Sequence, residues 1–81
     1  MKIKYFAWIK DITNKDHDII ESNYPKDIEE LKEMLNNSYP NLRKHINKNI
    51  LRYAINLEYT TVNEKLKFSD EIAIFPPVSG G

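Results

Sequence analysis

The chain has 81 residues, enough for one small domain, and twelve Lys and Arg residues balance twelve Asp and Glu residues. Such a balance argues against a global field that would attract nucleic acid or a membrane surface, so neither is expected as a partner. The sequence has no Cys, which excludes disulfides, a thiolate nucleophile and a Cys-ligated zinc ion, and which fits a reducing compartment. Lysines interrupt the apolar N-terminal run, which predicts neither a signal peptide nor a membrane span. A cytoplasmic protein is expected.

The first residues alternate between two sides, which predicts a β-strand over residues 2–9. One side of this strand would carry Ile3, Tyr5, Ala7 and Ile9, and the other Lys2, Lys4, Phe6 and Trp8. Residues 11–16 are typical of a turn, in which Asn14 is the best candidate for a positive φ. A second strand is predicted over His17 to Ser22, so the two strands would form a hairpin with a long loop.

A helix is predicted after this hairpin. Asp27 can cap its N-terminus, and Glu30 lies three residues further on, as in a capping box. Apolar residues then recur at helical spacing, at Ile28, Leu31 and Leu35. Pro40 ends the pattern, because proline removes a helical hydrogen bond and clashes with the preceding turn. The helix could cover one face of a small sheet.

Segment 41–49 is mostly polar; the spacing of Leu42 and Ile46 suits a short helical turn, but a mobile loop fits equally well. Further strands are predicted over residues 50–57, 58–63 (short) and 71–75. This order predicts one α+β domain over residues 1–75, with a mixed four- to five-stranded sheet and one main helix on one face.

If the first and last strands are central neighbours, the helix packs on Ile3, Tyr5, Ile72 and Ile74. The opposite, open face would then carry aromatic side chains at Phe6, Trp8 and Phe75, with Tyr59 at the rim. These residues could form a second core face. In a two-layer domain of this size, however, that face is normally wet, so we predict a partner-docking surface.

The two glycines of the chain are its last two residues, in the ending IFPPVSGG. Pro76 and Pro77 lack an N–H, so they stop the last strand and favour an extended path for a tail over residues 76–81. Gly80 and Gly81 make the end slim enough to thread a tunnel and present the terminal carboxylate to an active site. An adenylating enzyme could activate that carboxylate. A frayed terminus with no role is the alternative.

This ending, Phe75-Pro76-Pro77-Val78-Ser79-Gly80-Gly81, resembles that of the molybdopterin synthase small subunits, a family of ubiquitin-like β-grasp sulfur carriers. Supporting matches span nearly the whole chain: Tyr5-Phe6-Ala7, Tyr39-Pro40, Ala54-Ile55-Asn56, Leu66 and Asp70-Glu71-Ile72-Ala73. Two turn positions depart from the family, which usually has Gly where this chain has Asn14 and Ser69. These departures concern local geometry and stability and leave the tail unchanged.

The resemblance implies a ubiquitin-like β-grasp fold and a sulfur carrier that is not catalytic alone and binds no cofactor. A ubiquitin-activating-enzyme-like protein would use ATP to adenylate the Gly81 carboxylate, and a sulfur donor protein would convert it to a thiocarboxylate. The tail would then enter the active site of the large subunit, within a heterotetramer, and donate sulfur to cyclic pyranopterin monophosphate to form molybdopterin. Gly80 would give clearance, and Pro76, Pro77, Val78 and Ser79 would place the tail.

Three alternatives use the same residues differently. The chain could carry sulfur for thiamin synthesis or tRNA thiolation, act as a ubiquitin-like modifier joined through Gly81 to a lysine, or bind partners through its aromatic face with an idle tail. His17 and His45 lie far apart in the sequence and predict no metal site. A short basic patch at Arg43, Lys44 and Lys48 is expected to be solvated, although it could help to hold the activating enzyme or an anionic partner.

Overall fold

The computed structural model describes residues 1–77, which form five strands and three α-helices. Their bounds in chain order are β1 Lys2–Tyr5, α1 Trp8–Thr13, β2 His17–Ile19, α2 Ile28–Ser38, a 3₁₀ turn Pro40–Leu42, α3 Arg43–Asn47, β3 Arg52–Ile55, β4 Glu58–Thr60 and β5 Glu71–Phe75.

The strands form one mixed sheet in the order β2-β1-β5-β3-β4. The central pair, β1 and β5, is parallel, with Tyr5 opposite Ile74 at their C-terminal ends. The other three pairs are antiparallel. The predicted α+β architecture is confirmed. The first and last strands are neighbours, which meets the condition under which the sequence placed the helix on Ile3, Tyr5, Ile72 and Ile74.

The core lies between the sheet and α2. Alternate residues of β1 and β5 are buried, as expected for strands with one covered face. Their buried side chains are Ile3, Tyr5, Ile72 and Ile74, and α2 contributes Ile28, Leu31 and Leu35 to the same cluster. This is the predicted packing of the main helix on one face of the sheet.

The main helix begins at the predicted cap. The Asp27 carboxylate accepts a hydrogen bond from the Glu30 backbone N–H at 2.8 Å. The Glu30 side chain accepts from the N–H of Lys26 at 3.0 Å, one residue earlier than in a standard capping box. The helix ends at Ser38, and Pro40 starts the 3₁₀ turn, where a missing N–H costs nothing.

Segment 41–49 takes the helical alternative that the sequence left open. Leu42 is fully buried, and Ile46, one turn later in α3, is 5% exposed. Burial of these two side chains explains why a segment with so many polar residues is helical, because packing of an apolar stripe provides most helix stability in proteins.

The predicted strand over residues 2–9 is correct only as far as Tyr5. Ala7 has φ 55° and ψ −136°, which turns the chain, and Trp8 starts α1. The apolar residues after Tyr5 fit helical spacing as well as alternation, since Ile9 and Thr13 are four apart and both buried. The connection between β1 and β2 therefore contains a helix, although the two strands do pair antiparallel.

The two turn positions that depart from the family are accommodated differently. Asn14 has φ 65°, so the predicted positive φ is confirmed at a residue that tolerates the left-handed region. Ser69 does not have a positive φ, so glycine is not required there. The predicted strands over residues 17–22, 50–57 and 58–63 are shorter in the structure than in the prediction.

Side-chain hydrogen bonds fix the start of β5. The Asn56 amide donates to Asp70 and accepts from the backbone N–H of Glu71, both at 2.9 Å. The second Asp70 oxygen accepts from the Lys67 N–H at 2.7 Å. Together with strand neighbours on both sides, these bonds fix the position from which the C-terminal residues leave the sheet.

Candidate functional site

The tail leaves from the centre of the sheet. β5 ends at Phe75, between the C-terminal end of β1 and the N-terminal end of β3, where Arg52 is its register partner. Pro76 is half-buried and Pro77 is exposed. Because neither proline can donate to a ladder, the strand ends where the prediction placed its end. The predicted reactive residues Gly80 and Gly81, and the positioning residues Val78 and Ser79, lie outside the described residues.

Three of the four predicted docking residues come together beside the base of the tail. We call Phe6, Tyr59 and Phe75 the docking patch. The rings of Tyr59 and Phe75 lie 6.2 Å apart between centroids. Phe6 lines an open hollow of about 450 Å³ together with Ala7, Phe75 and both prolines. Phe6 is 43% exposed and Tyr59 is 55% exposed, so apolar surface remains available to a partner.

On the open face, charged side chains lie next to the docking patch. Lys4 lies two residues before Phe6 and forms an ion pair with Glu71 at 3.6 Å. Between the ion pair and the patch, Ala73 is opposite Lys4 on one side and Ala54 on the other. Small residues at this point leave the sheet surface flat beside the larger rings. An apolar area bordered by charges is typical of an interaction surface.

Trp8 does not belong to the docking patch. It was placed on the open face by the predicted strand, but it is the first residue of α1 and its ring contacts His45 of α3, with centroids 4.8 Å apart. The positive φ of Ala7 separates Trp8 from Phe6. Ala7 itself lines the hollow beside the prolines, a placement that no sequence signal indicated, because alanine rarely adopts such a conformation.

A second polar feature, on the helix side of the sheet, was not predicted. The Asp18 carboxylate accepts hydrogen bonds from the hydroxyls of Tyr5, at 2.6 Å, and Tyr39, and from the Lys15 ammonium at 3.0 Å. Partial burial acts to raise the pKa of Asp18, but the bonds from Tyr39, Tyr5 and Lys15 outweigh it and lower that pKa below its usual value. Burial and Asp18 raise the pKa of Tyr5.

This network is structural, since it joins β2 to β1 and to the end of α2. It lies on the face opposite the docking patch, and its carboxylate is held charged by three donors, which is unsuited to proton transfer near neutral pH. Within residues 1–77, no group of three or more His, Cys, Asp and Glu side chains could hold a metal ion. No helix among these residues has the length and apolar character needed to cross a membrane.

Comparison with known proteins supports the resemblance seen in the tail. The model of the ThiS family matches residues 3–81. The molybdopterin synthase sulfur carrier subunit of Dictyostelium discoideum is 35% identical over 83 aligned positions, covering 99% of this chain and 94% of that protein. The corresponding subunit of Caenorhabditis briggsae is 30% identical and covers 100% of this chain and 96% of its own length.

Solved structures share the fold over nearly the full chain. The putative molybdopterin converting factor subunit 1 of Pyrococcus furiosus superposes with a TM-score of 0.80 at 25% identity, covering 95% of each chain. Small archaeal modifier protein 1 of Methanosarcina acetivorans gives 0.79 at 26% identity, over 99% of this chain and 94% of its own.

A chain from the complex of subunits 1 and 2 of the Helicobacter pylori molybdopterin-converting factor superposes with a TM-score of 0.68 at 27% identity. The match covers 99% of this chain and 96% of that chain. The ubiquitin-like β-grasp fold is thereby confirmed. The family match and the two curated relatives extend the similarity over almost every residue, the C-terminal Gly-Gly included. This chain therefore belongs to the ThiS family.

Proposed function

We propose that this protein is the sulfur carrier subunit of a molybdopterin synthase. The observation that carries the proposal is the position of the end of β5. A strand fixed at the centre of the sheet ends inside an apolar patch, and only four residues then separate Pro77 from the terminal carboxyl group. The full-length similarity to named sulfur carrier subunits supports it.

The chemistry follows from the C-terminal carboxylate of Gly81. A carboxylate resists nucleophilic attack until its oxygen becomes a leaving group. An activating enzyme related to those of ubiquitin joins the carboxylate to AMP and releases pyrophosphate from ATP. Sulfur that a donor protein supplies at the oxidation level of sulfide then attacks the acyl carbon and expels AMP, which leaves a thiocarboxylate on Gly81. Gly80 has no side chain to obstruct either enzyme's access.

The large subunit then binds the tail that carries the thiocarboxylate. Four extended residues span at most about 14 Å, so the body of the carrier must press against the entrance of the active site for Gly81 to reach the substrate. The docking patch lies where that contact has to form. There the thiocarboxylate sulfur forms a bond to cyclic pyranopterin monophosphate, and water then cleaves the bond between that sulfur and the acyl carbon, which leaves sulfur on the substrate and regenerates the carboxylate on Gly81. Two such transfers supply both sulfurs of molybdopterin.

This division of labour assigns no acid-base catalysis to the carrier. The charged Asp18 lies on the face away from the patch. The large subunit supplies the groups that bind the phosphate and move protons. A heterotetramer of two carriers and two large subunits is the proposed assembly, and a related pair of subunits 1 and 2 forms a complex in Helicobacter pylori.

Reconstitution tests the proposal. The thiocarboxylated protein, mixed with its host's large subunit and cyclic pyranopterin monophosphate, should yield molybdopterin, whose oxidised fluorescent derivative can be quantified. The protein without the thiocarboxylate and a Gly81 deletion should yield no molybdopterin. Production of molybdopterin without the thiocarboxylate would contradict the proposed role.

A second candidate is a ubiquitin-like modifier joined through Gly81 to a lysine of a target. The structural similarity to an archaeal protein named as a modifier favours it, at 26% identity and a TM-score of 0.79. Peptide mapping of host extracts for lysines carrying the tail of this protein distinguishes the two candidates. Modified lysines that disappear with the Gly81 deletion would establish conjugation, whether or not sulfur transfer also occurs.

A further inference from the structure

A basic surface at the tail end of the molecule has no role in the function proposed above. We define the tail-end basic cluster as Arg43 and Lys44 of α3 and Lys48, which follows that helix. All three side chains are exposed, and none forms an ion pair within residues 1–77. From Met34 to Leu57 the chain has no acidic residue at all. Although the formal net charge of the protein is zero, this region therefore carries only positive charge.

Two connections place this cluster beside the base of the tail. His45, within α3, contacts the ring of Trp8 at 4.8 Å, and Trp8 lies two residues after Phe6 of the docking patch. The carbonyl of His45 also accepts from the N–H of Ile50 at 3.0 Å, which holds α3 next to the start of β3. The first residue of β3 is the register partner of Phe75.

The cluster and the docking patch therefore lie on two sides of the point where the tail emerges. Phe6 borders that point on the open face of the sheet. Trp8, 38% exposed, lies on the side of α3, where its ring contacts His45. Near the cluster, residues of α1, the 3₁₀ turn and α3 enclose an open cleft of about 530 Å³. On α1, Asp11 is exposed, and Lys10 pairs with Asp16 at 3.7 Å.

We infer that the tail-end basic cluster, with Trp8, binds an acidic surface of the large subunit beside the entrance that admits the tail. This inference rests on the function proposed above and names a second contact area for it. The short reach of four residues presses the whole end of the carrier, cluster included, against the entrance. Because the overall charge is zero, the local positive charge orients the approach so that the tail arrives first.

A protein partner fits better than nucleic acid. Three clustered cations on a neutral chain are far fewer than a typical basic stripe that follows a phosphate backbone. A tryptophan beside exposed cations is instead a common composition for the contact area of a protein complex. Trp8 thus keeps a docking role, but in this second area and not in the patch to which the sequence assigned it.

Charge reversal with a matched control tests the inference. The variant Lys44→Glu/Lys48→Glu changes the cluster, and Lys65→Glu/Lys67→Glu makes the same change in net charge near the start of β5, at the other end of that strand. All four lysines are exposed and outside the ion pairs of the described chain. Thermal unfolding of both variants verifies that each is folded.

The readout is the association rate constant with the host's large subunit, measured by stopped flow at several salt concentrations. The tail-end variant should associate about tenfold to a hundredfold more slowly at low salt, with a much smaller change in the dissociation rate. The difference should shrink as salt rises, because surface charges are then screened. The control variant should stay within about twofold of the unchanged protein.

The outcomes separate this inference from the function on which it rests. If the unchanged protein binds the large subunit and both variants behave alike, the inference is overturned and the proposed function stands. If the unchanged protein does not bind the large subunit, the inference and the proposed function are both overturned. A tail-end variant that slows only adenylation by the activating enzyme assigns the cluster to that enzyme and overturns the partner named here.

Discussion

Truncation of Phe6 to alanine should weaken binding to the large subunit by about thirtyfold. Phe6 is 43% exposed in the free protein. A phenylalanine can bury roughly 200 Å², so a partner that covers the remainder removes about 85 Å² from water. At about 25 cal/mol per Å², this area contributes about 2 kcal/mol, and each 1.4 kcal/mol corresponds to about a factor of ten in affinity.

Phe68→Ala is the matched control for this prediction. Phe68 is 50% exposed, and its ring packs on Tyr24 with centroids 5.8 Å apart, in the turn before β5 and away from the tail. Titration calorimetry with the large subunit should show at most about a twofold change for this variant. If the two alanine variants weaken binding equally, the docking patch is not where the large subunit binds.

Two further predictions concern stability. Asp18→Asn should cost about 1–3 kcal/mol at neutral pH, because it replaces a carboxylate that receives three hydrogen bonds. The pKa of Asp18 is lowered in the folded state, so the stability difference between the unchanged protein and this variant should be fully present above about pH 4. The difference should decline as the pH falls further. A difference that grows in acid would contradict the assigned charge state. Asp27→Ala should cost about 1 kcal/mol in chemical denaturation, whereas Asp27→Ser should retain most of the cap, and equal losses would show that the bond to the Glu30 N–H contributes little.

The parts of the fold that the sequence predicted are those set by strong local patterns. Asp27 and the spacing of Ile28, Leu31 and Leu35 determine α2, and alternation in Glu71–Phe75 determines β5. Asn14 was identified because few residue types other than glycine adopt a positive φ readily. At the helix cap and at Asn14, the backbone conformation strongly favours one class of residue. In α2 and β5, burial favours apolar residues at regular spacing.

The first strand shows where such patterns fail. The apolar residues at 6–9 fit the spacing of a strand and that of a helix equally well. The turn at Ala7 has a backbone conformation that is rare for alanine, so the sequence does not indicate it. Only packing of Ile9 against the core decides between strand and helix there. This one error placed Trp8 on the wrong surface. The Asp18 network was missed for a related reason, because Tyr5, Asp18 and Tyr39 meet only in the folded chain.

The candidate site divides in the same way. Phe6, Tyr59 and Phe75 do come together at the end of β5, because Phe6 directly follows β1 and Tyr59 lies in β4, one strand beyond β3. Their docking role stays a prediction. The hollow between Phe6 and the prolines could not be predicted, since it depends on the turn at Ala7. The roles of Gly80 and Gly81 remain predictions, because they concern chemistry at residues outside the described part of the chain.

The central claim is that the terminal carboxyl group of Gly81 carries sulfur. The most direct measurement is the intact mass of the untagged protein after incubation with its host's activating enzyme, ATP and a sulfur donor. The mass should increase by the difference between one sulfur and one oxygen, and it should not increase in the Gly81 deletion. An unchanged mass, with a known sulfur carrier reacting in parallel, would contradict it.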